Sequence, residues 1–337
     1  MYSFRNDYSE GAHIKILERL VKTNRQQNDG YGLDIHSKRA EQMIKEKLRR
    51  EDVEIHFIPG GTQTNLLVIA SFLRPFESII AADTGHINVH ETGAIEGTGH
   101  KVVVVPHKDG KLTPKGILQV LQAHETEHMV KPAMVYISNT TELGTIYTKE
   151  ELSEISSVCK QFGLLLYLDG ARIASALTSQ KNDVELSDYA TFTDVFYIGG
   201  TKNGALFGEA LVICNDSLKE DFRFMIKNRG AMLAKGFVTG IQFEVLFEDD
   251  LYFELGRHAN AMARLLETAL KEKKYEFYAT PESNQLFPIV TKDYIKKIED
   301  EFEFNIERNL SEERIAIRFV TSWATTRESV DALIATF

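Results

Sequence analysis

Residues 164–172 have the sequence Leu-Leu-Leu-Tyr-Leu-Asp-Gly-Ala-Arg, in which a strongly apolar run ends at a carboxylate. The run is too short for a buried helix, and its composition is typical of a strand that is buried on both faces of a sheet. Asp169 then stands at the carboxyl end of that strand. A charge there is costly unless another group pairs with it, so the segment predicts both a core strand and a binding site beside it.

Other short apolar runs resemble this one, and most of them are rich in Val, Ile, Leu or Tyr. They are residues 79–82, 102–105, 133–138, 195–198 and 210–214. Helical patterns separate them, and the clearest covers residues 148–162, where Thr148 and Glu151 form a capping box and Gly163 ends the helix. This alternation from about residue 50 to about residue 215 predicts a doubly wound α/β sheet of parallel strands.

The pattern changes after Glu248. A long amphipathic helix is expected over residues 252–274, and strand-like segments follow at 286–290 and 315–320. We interpret residues 248–337 as a small C-terminal α+β domain, which follows a large domain over residues 1–247. Ligand sites in doubly wound sheets lie beyond the carboxyl ends of the strands, so Asp169 stands where a ligand is expected.

The composition excludes some classes of function. The chain of 337 residues has a formal net charge of −10, and its lysines and arginines are spread along the sequence. A protein that binds nucleic acid or an anionic membrane needs a concentrated basic face. No apolar segment is long enough to cross a membrane, and Cys159 and Cys214 lack the spacing and the histidines of a metal site. We therefore expect a cytoplasmic protein with inert core thiols and no bound metal.

Two residues at strand ends indicate the chemistry. A carboxylate such as Asp169 can keep the nitrogen of a bound pyridine ring protonated, and the protonated ring then accepts electrons readily. A role as a helix N-cap explains this aspartate equally well. Lys202 follows the run 195–198 within Gly-Gly-Thr-Lys-Asn-Gly, where glycines let a cofactor approach and an amine can form an imine. Most lysines are surface charges, so Lys202 alone is weak evidence.

Two loops nearer the N-terminus add to this pattern. Gly61 and Thr62 precede the apolar run 66–72, at an expected helix N-terminus that can hold a phosphate, although many such turns only start helices. His86 follows the run 79–82, and its imidazole can stack on a flat ring or take a proton. A lone loop histidine is more often structural, so the evidence lies in the combination of these residues.

With these pieces in this order, the sequence resembles the threonine aldolases of the β-eliminating lyase family, which are fold type I pyridoxal-phosphate enzymes. The resemblance rests on residues 4–13, 30–34, 60–62, 86–87, 168–172, 201–202 and 318–321, and extends over nearly the whole chain. It implies an aspartate-aminotransferase-like large domain with a mostly parallel sheet. It also implies that residues 1–30 contribute to the active site and to a subunit interface.

The resemblance implies roles for the cofactor-binding residues. Lys202 becomes the lysine that forms an imine with pyridoxal phosphate. Asp169 becomes the partner of the pyridine nitrogen, and His86 stacks on the ring. Gly61 and Thr62 become ligands of the phosphate group.

Further roles concern the substrate. The resemblance implies that Ser9, Arg172 and Arg318 bind the substrate carboxylate, for which the planar donor set of arginine is well suited. Tyr31 corresponds to a tyrosine that approaches the active site from a neighbouring subunit. A homodimer or homotetramer with shared active sites is therefore expected, with a small amino acid as the substrate.

The sequence departs from the family in two places. The family often has Glu-Asn-Thr-His-Asn where this chain has Ser-Asn-Thr-Thr-Glu at residues 138–142. The arginine that the family supplies to the phosphate from a partner subunit has no clear counterpart in residues 228–235. Lys235 is the candidate replacement, and Arg229 is the other.

The function implied is cleavage of L-threonine or L-allo-threonine to glycine and acetaldehyde. A base must remove the β-hydroxyl proton; His86 is the candidate, and His128, just before the run 133–138, is a weaker one. β-Elimination from another amino acid is the nearest alternative, because it uses the same carbanion stabilisation. A non-catalytic binding or scaffold protein is a more distant alternative.

Overall fold

The computed structural model of the protein describes residues 1–337. The helices are α1 (Ile14–Thr23), α2 (Ile35–Leu48), α3 (Gly61–Phe72), α4 (His86–Val89), α5 (Pro114–Ala123), α6 (Lys149–Phe162), α7 (Ile173–Leu177), α8 (Leu186–Phe192), α9 (Phe222–Asn228), α10 (Phe237–Phe247), α11 (Leu251–Glu272), α12 (Lys292–Ile298) and α13 (Arg327–Ile334). The strands are β1 (Tyr2–Ser3), β2 (Glu54–Ile58), β3 (Glu77–Ala82), β4 (Val102–Val105), β5 (Lys131–Ser138), β6 (Leu165–Asp169), β7 (Val195–Gly199), β8 (Glu209–Ile213), β9 (Gln285–Leu286), β10 (Ile289–Thr291), β11 (Phe302–Glu303), β12 (Asn305–Asn309) and β13 (Arg314–Val320).

The largest sheet has seven strands in the order β2-β8-β7-β6-β5-β3-β4. Strands β7, β6, β5, β3 and β4 run parallel, whereas β8 and β2 run antiparallel to their neighbours at one edge. The doubly wound, mostly parallel sheet expected from the sequence is confirmed. The prediction that residues 210–214 form another parallel strand is wrong: residues 200–208 form a turn that returns the chain directly beside β7, and a parallel neighbour would need a longer crossover.

Helices cover both faces of this sheet, and β6 shows how its sequence fits between them. Leu166 and Leu168 lie in a core to which α2, α5, α6 and α10 contribute, while Tyr167 points to the other face, beneath α3 and α9. Burial of each such leucine contributes about 1.5–3 kcal/mol. The predicted capping box of α6 is present, and Gly163 ends that helix with a φ of 64°.

The C-terminal part has its own core. Strand β13 pairs with β9, β10 and β12, and Leu266 and Leu270 of α11 pack against this sheet, whereas Leu255 of the same helix packs in the core of the large sheet. The N-terminus also joins the C-terminal part, because β1 pairs with β11 and Phe4 is buried there. The domain boundary between residues 247 and 248 stays a prediction.

Both cysteines lie in the core of the large sheet. Cys159 and Cys214 are unpaired, and burial raises the pKa of each thiol to about 12. Such thiols rarely form the reactive thiolate. Among the helices, none combines the length and the apolar character that a membrane span requires.

Gly170 directly follows β6 and lies against the backbone of β7. A Cβ atom at this position would lie 1.8 Å from the carbonyl oxygen of Tyr197. Because that contact is with backbone, no side-chain rotation relieves it, and we expect Gly170→Ala to lower the free energy of unfolding by about 3 kcal/mol or more. Gly97→Ala is the control, since its Cβ position has no neighbouring atom within 4 Å. Equal urea midpoints for the two variants would contradict this prediction.

Candidate active site

A cleft of about 560 Å³ opens at the carboxyl ends of the parallel strands, where doubly wound sheets bind ligands. It brings together most of the residues singled out from the sequence. Those that line it are Gly61, Thr62, His86, Asp169, Arg172, Lys202 and Arg318. Ser9, Tyr31 and Lys235 do not line it. The individual roles of these residues stay predictions.

Asp169 ends β6 at the floor of the cleft, with 4% of its surface exposed. Its Oδ1 accepts a hydrogen bond of 2.5 Å from the Tyr197 hydroxyl group. Its Oδ2 accepts bonds of 2.7 Å from the Tyr136 hydroxyl group and 3.2 Å from Asn65 Nδ2. Burial opposes ionisation, but the charge of His86 and these donors lower the pKa of Asp169 below its usual value. The buried carboxylate therefore stays ionised.

The interpretation of Asp169 as a helix N-cap does not hold. The next helix, α7, begins at Ile173, and Arg172 is its N-cap residue. Asp169 Oδ1 instead accepts a hydrogen bond of 3.0 Å from the backbone N–H of Ala171, within a local turn. Pairing with a cationic group in the cleft remains as the proposed role of this side chain.

The donors around Asp169 were not singled out from the sequence. Burial raises the pKa of Tyr136 and Tyr197 well above its usual value, so both hydroxyl groups remain protonated and donate. Asn65 is fixed in turn, because its Oδ1 accepts from Tyr167 at 2.6 Å. The signal in the sequence is a tyrosine within each of three buried aliphatic strands, since a buried hydroxyl group needs a partner.

His86 begins α4, directly after β3. Its Nδ1 lies 2.7 Å from Oε1 of the buried residue Glu91. Burial alone would lower the pKa of His86, but the hydrogen bond to Glu91 and the charges of Glu142 and Asp169 raise it above its usual value. The imidazole therefore stays protonated over a wider pH range, which favours donating a proton over accepting one.

Lys202 lies in the turn that follows β7, with Nζ 5.9 Å from the centre of the Tyr8 ring. Burial and, after it, the positive charge of Arg172 lower the pKa of Lys202 below its usual value. A larger fraction of the amine is then neutral near pH 7. The neutral amine is the form that attacks a carbonyl carbon, so this environment suits an imine-forming lysine.

The two arginines of the cleft differ in how much of each guanidinium group is free. Arg172 donates from Nε (2.7 Å) and Nη2 (3.0 Å) to the buried carboxylate of Asp7, which also accepts from Asn284. Arg318, on β13, has a buried Nε without a hydrogen-bond partner. Arg318 is therefore the less satisfied cation and has the greater need of an anionic ligand.

Gly61 and Thr62 occupy the first turn of α3, as the sequence predicts. The N-cap is Gly60, which has no side chain to accept hydrogen bonds from the free N–H groups of that turn. A Cβ atom at Gly61 would lie 3.2 Å from the Tyr197 hydroxyl oxygen, so the absence of a side chain keeps this end of the cleft open. Free N–H groups at a helix N-terminus suit a phosphate.

Ser9 is exposed, and its Oγ donates to Asn6 Oδ1 at 3.0 Å. The neighbouring Tyr8 lines the cleft in its place. His128 is also exposed, in the segment before β5, and so lies at the amino end of the strand, away from the cleft. The structure gives no support to His128 as a base.

Tyr31 and Lys235 lie together on another surface of the chain. The N–H of Tyr31 donates to the carbonyl oxygen of Ala234 at 3.2 Å, and Lys227 Nζ lies 4.9 Å from the centre of the Tyr31 ring. Tyr31 is 45% exposed, and Lys235 is exposed beside it. Neither residue contributes to the cleft of its own chain.

Glu209 is a residue of the cleft that sequence reasoning missed. It begins β8 and accepts hydrogen bonds from Thr201 Oγ1 (2.8 Å) and the Gly200 N–H (3.0 Å), so it braces the turn that carries Lys202. Burial raises the pKa of Glu209 to about 8, even though these two donors oppose the shift. The carboxyl group is therefore largely protonated at neutral pH.

This shift makes the stability of the cofactor-free protein depend on pH. A carboxyl group with a raised pKa stabilises the fold at acid pH, and that contribution is lost as the pH rises from about 4.5 to about 8. We expect Glu209→Gln, which cannot ionise, to gain stability relative to the wild type over this interval, by about 2 kcal/mol or more. Thermal unfolding at several pH values measures the difference, with Glu312→Gln as an exposed control. A difference that does not change with pH would contradict the prediction.

The sequence of the chain is similar to those of known proteins. The model of the β-eliminating lyase family matches residues 11–293. A low-specificity L-threonine aldolase from Pseudomonas aeruginosa is 34% identical over 266 residues, which cover 78% of this chain and 76% of that protein. A second, from a Pseudomonas species, is 32% identical over 271 residues, which cover 80% of this chain and 78% of that protein.

Solved structures show the same likeness. A threonine aldolase from Leishmania major matches with a TM-score of 0.98 and 50% identity, over 99% of this chain and 98% of that one. An aspartate aminotransferase from Thermus thermophilus matches with a TM-score of 0.73 and 12% identity, over 100% of this chain and 91% of that one. The second match concerns the fold alone, and it confirms the predicted fold type I architecture.

Proposed function

The chain belongs to the β-eliminating lyase family, and on that basis we propose that it is a pyridoxal-phosphate enzyme that cleaves L-threonine or L-allo-threonine to glycine and acetaldehyde. The observation that carries the proposal is the cleft itself. Within one cavity it holds the ionised Asp169, the amine of Lys202 and the unsatisfied guanidinium group of Arg318. A non-catalytic protein needs none of these side chains.

The donor set of the cleft fits pyridoxal phosphate. Asp169 offers a buried anion to a protonated ring nitrogen, Lys202 offers an amine to the aldehyde carbon, and the first turn of α3 offers free N–H groups to the phosphate. We propose that the protonated His86 packs against the ring. When bound, the cofactor supplies an electron sink for the electron pair of the broken carbon–carbon bond.

The substrate carboxylate completes the polar contacts of the arginines. We propose that Arg318, with its unpaired buried Nε, is the main ligand, assisted by the edge of Arg172 that Asp7 leaves free. An unsatisfied buried donor costs about 1–3 kcal/mol, and a bound carboxylate removes that cost. The carboxylate and the amino group together then fix which substituent of Cα faces the remaining wall of the cleft.

The first test of this function uses Lys202. We expect the wild type with added cofactor to show the visible absorption band of a lysine imine and to release acetaldehyde and glycine from L-threonine. Lys202→Ala should lose the band and at least about 100-fold of the rate, because the amine that binds and releases the cofactor is gone. Lys181→Ala removes an exposed lysine outside the cleft and is the control. A keto acid with ammonia in place of glycine would indicate β-elimination, and no band in the wild type would contradict both reactions.

We further propose a homodimer or homotetramer whose active sites are shared between subunits. Tyr31 and Lys235 lie outside the cleft of their own chain but near each other, as expected of residues that reach a neighbouring site. Exposed apolar side chains occur close by in the sequence, at Leu33 and Ile35. Lys235, or else Arg229, would then supply a cation to the phosphate of the neighbouring subunit.

Mixed oligomers test this sharing. Coexpressed Lys202→Ala and Tyr31→Ala chains form mixed dimers in which one site carries both changes and the other carries neither. We therefore expect activity to return to roughly a quarter of the wild-type level under random pairing. Lys202→Ala mixed with Arg318→Ala is the control, because both residues line the same cleft and every site stays defective. Equal, negligible activity in the two mixtures would contradict a role for Tyr31 in the neighbouring site.

A further inference from the structure

The turn that follows β5 holds its residues in fixed positions. The Thr141 N–H donates to the Thr145 carbonyl oxygen and the Gly144 N–H to the Thr141 carbonyl oxygen, both at 2.9 Å. The Oγ1 atoms of Thr141 and Thr145 lie 2.7 Å apart, and Gln285 Nε2 donates to the Thr141 carbonyl oxygen at 3.2 Å. Glu142 lies within this turn, so its backbone is held by bonds on both sides.

Glu142 differs from the other carboxyl groups that line the cleft. Asp169 is surrounded by donors, and Glu209 is held by the turn that carries Lys202. Glu142 makes no hydrogen bond and no ion pair, although it is half-buried in the cleft. It therefore presents a carboxylate with free acceptor oxygens to whatever occupies the cleft.

The position of Glu142 relative to the proposed ligands indicates which part of the substrate it meets. The charge of Glu142 acts on Lys202, Arg172 and Arg318, so its carboxylate lies near the groups proposed to hold the substrate. With the carboxylate at the arginines, the amino end at Lys202 and the phosphate at α3, Glu142 and His90 are, besides His86, the proton acceptors of the lining that can meet the third substituent of Cα. That substituent is the β-carbon with its hydroxyl group. His90 is exposed at the rim, so Glu142 is the more enclosed acceptor.

We propose that Glu142 is the catalytic base that takes the proton from the β-hydroxyl group of the substrate, an inference that rests on the proposed aldol cleavage. The proton of the O–H bond goes to the Glu142 carboxylate, and the O–H electron pair forms the C=O bond of acetaldehyde. The Cα–Cβ bond breaks, and its electron pair stays with the glycine fragment, which then takes up one proton at Cα. Glu142 returns its proton to solvent, so the products together contain the atoms of threonine.

His86 is the competing base, and its surroundings are less suitable. Its Nδ1 is engaged by Glu91 at 2.7 Å, and its raised pKa favours the imidazolium, which has no lone pair to accept a proton. The position at which the family often has histidine is Thr141 in this chain, and Thr141 is buried in the turn. The carboxylate of the next residue, Glu142, lines the cleft instead.

The test compares Glu142→Gln with Glu142→Asp and the wild type. Glutamine keeps the size of the side chain but cannot accept the proton, so we expect kcat for threonine cleavage to fall by about 100-fold or more, with partial recovery in Glu142→Asp. Exchange of the α-protons of glycine in D₂O needs no β-hydroxyl group and should change by less than about threefold. Cofactor affinity, measured by equilibrium dialysis, should match that of the wild type.

Glu312→Gln is the control, since it removes an exposed carboxylate that does not line the cleft. Unchanged kcat in Glu142→Gln would overturn the proposal, as would a loss found in His90→Gln instead. Cleavage and glycine exchange that fall together would overturn it too, because they would indicate a structural role. If the wild type releases no acetaldehyde, the proposed function itself is wrong. If the wild type and Glu142→Gln release acetaldehyde equally well, only the proposed role of Glu142 is wrong.

Discussion

The buried charge of Asp169 is the constraint around which the cleft is arranged. A carboxylate removed from water costs several kcal/mol unless donors surround it, and here the donors come from β5, β7 and α3. Tyr136 and Tyr197 therefore tie the carboxyl ends of both neighbouring strands to β6. Asn65 extends the network to Glu91, which holds His86. One charge thus orders the floor and one wall of the site.

The residues that sequence reasoning could find are those that follow an uninterrupted apolar run, such as Asp169, His86 and Lys202. Strand β2 was not predicted, because His56 and Glu54 interrupt its apolar residues at the sheet edge. No role was predicted for Asp7 for another reason. Its partner Arg172 lies 165 residues away, and no local sequence pattern indicates such a pair. Single polar residues could be predicted where they follow a predicted strand. Contacts between residues that are far apart in the sequence became visible only in the structure.

The cleft pairs most of its charges, although the whole chain is acidic. The protein carries a formal net charge of −10. In the cleft, Arg172 is paired with the buried Asp7 and His86 with the buried Glu91, whereas Arg318 has a buried Nε without a hydrogen-bond partner. Glu209, with its raised pKa, adds little negative charge at neutral pH. Arg318 can therefore attract a carboxylate, while the acidic surface of the chain repels polyanions.

The N-terminal segment depends on residues that are made much later. Strand β1 pairs with β11 at Phe302–Glu303, Phe4 packs in the C-terminal core, and Asp7 binds Arg172 and Asn284. During synthesis β1 and Phe4 must therefore wait until the chain has reached β11, roughly 15 to 60 seconds later at ribosomal speed. Asp7 can meet Arg172 sooner, but its other donor, Asn284, is also made late. The N-terminal segment therefore cannot complete its contacts until most of the C-terminal part has been synthesised.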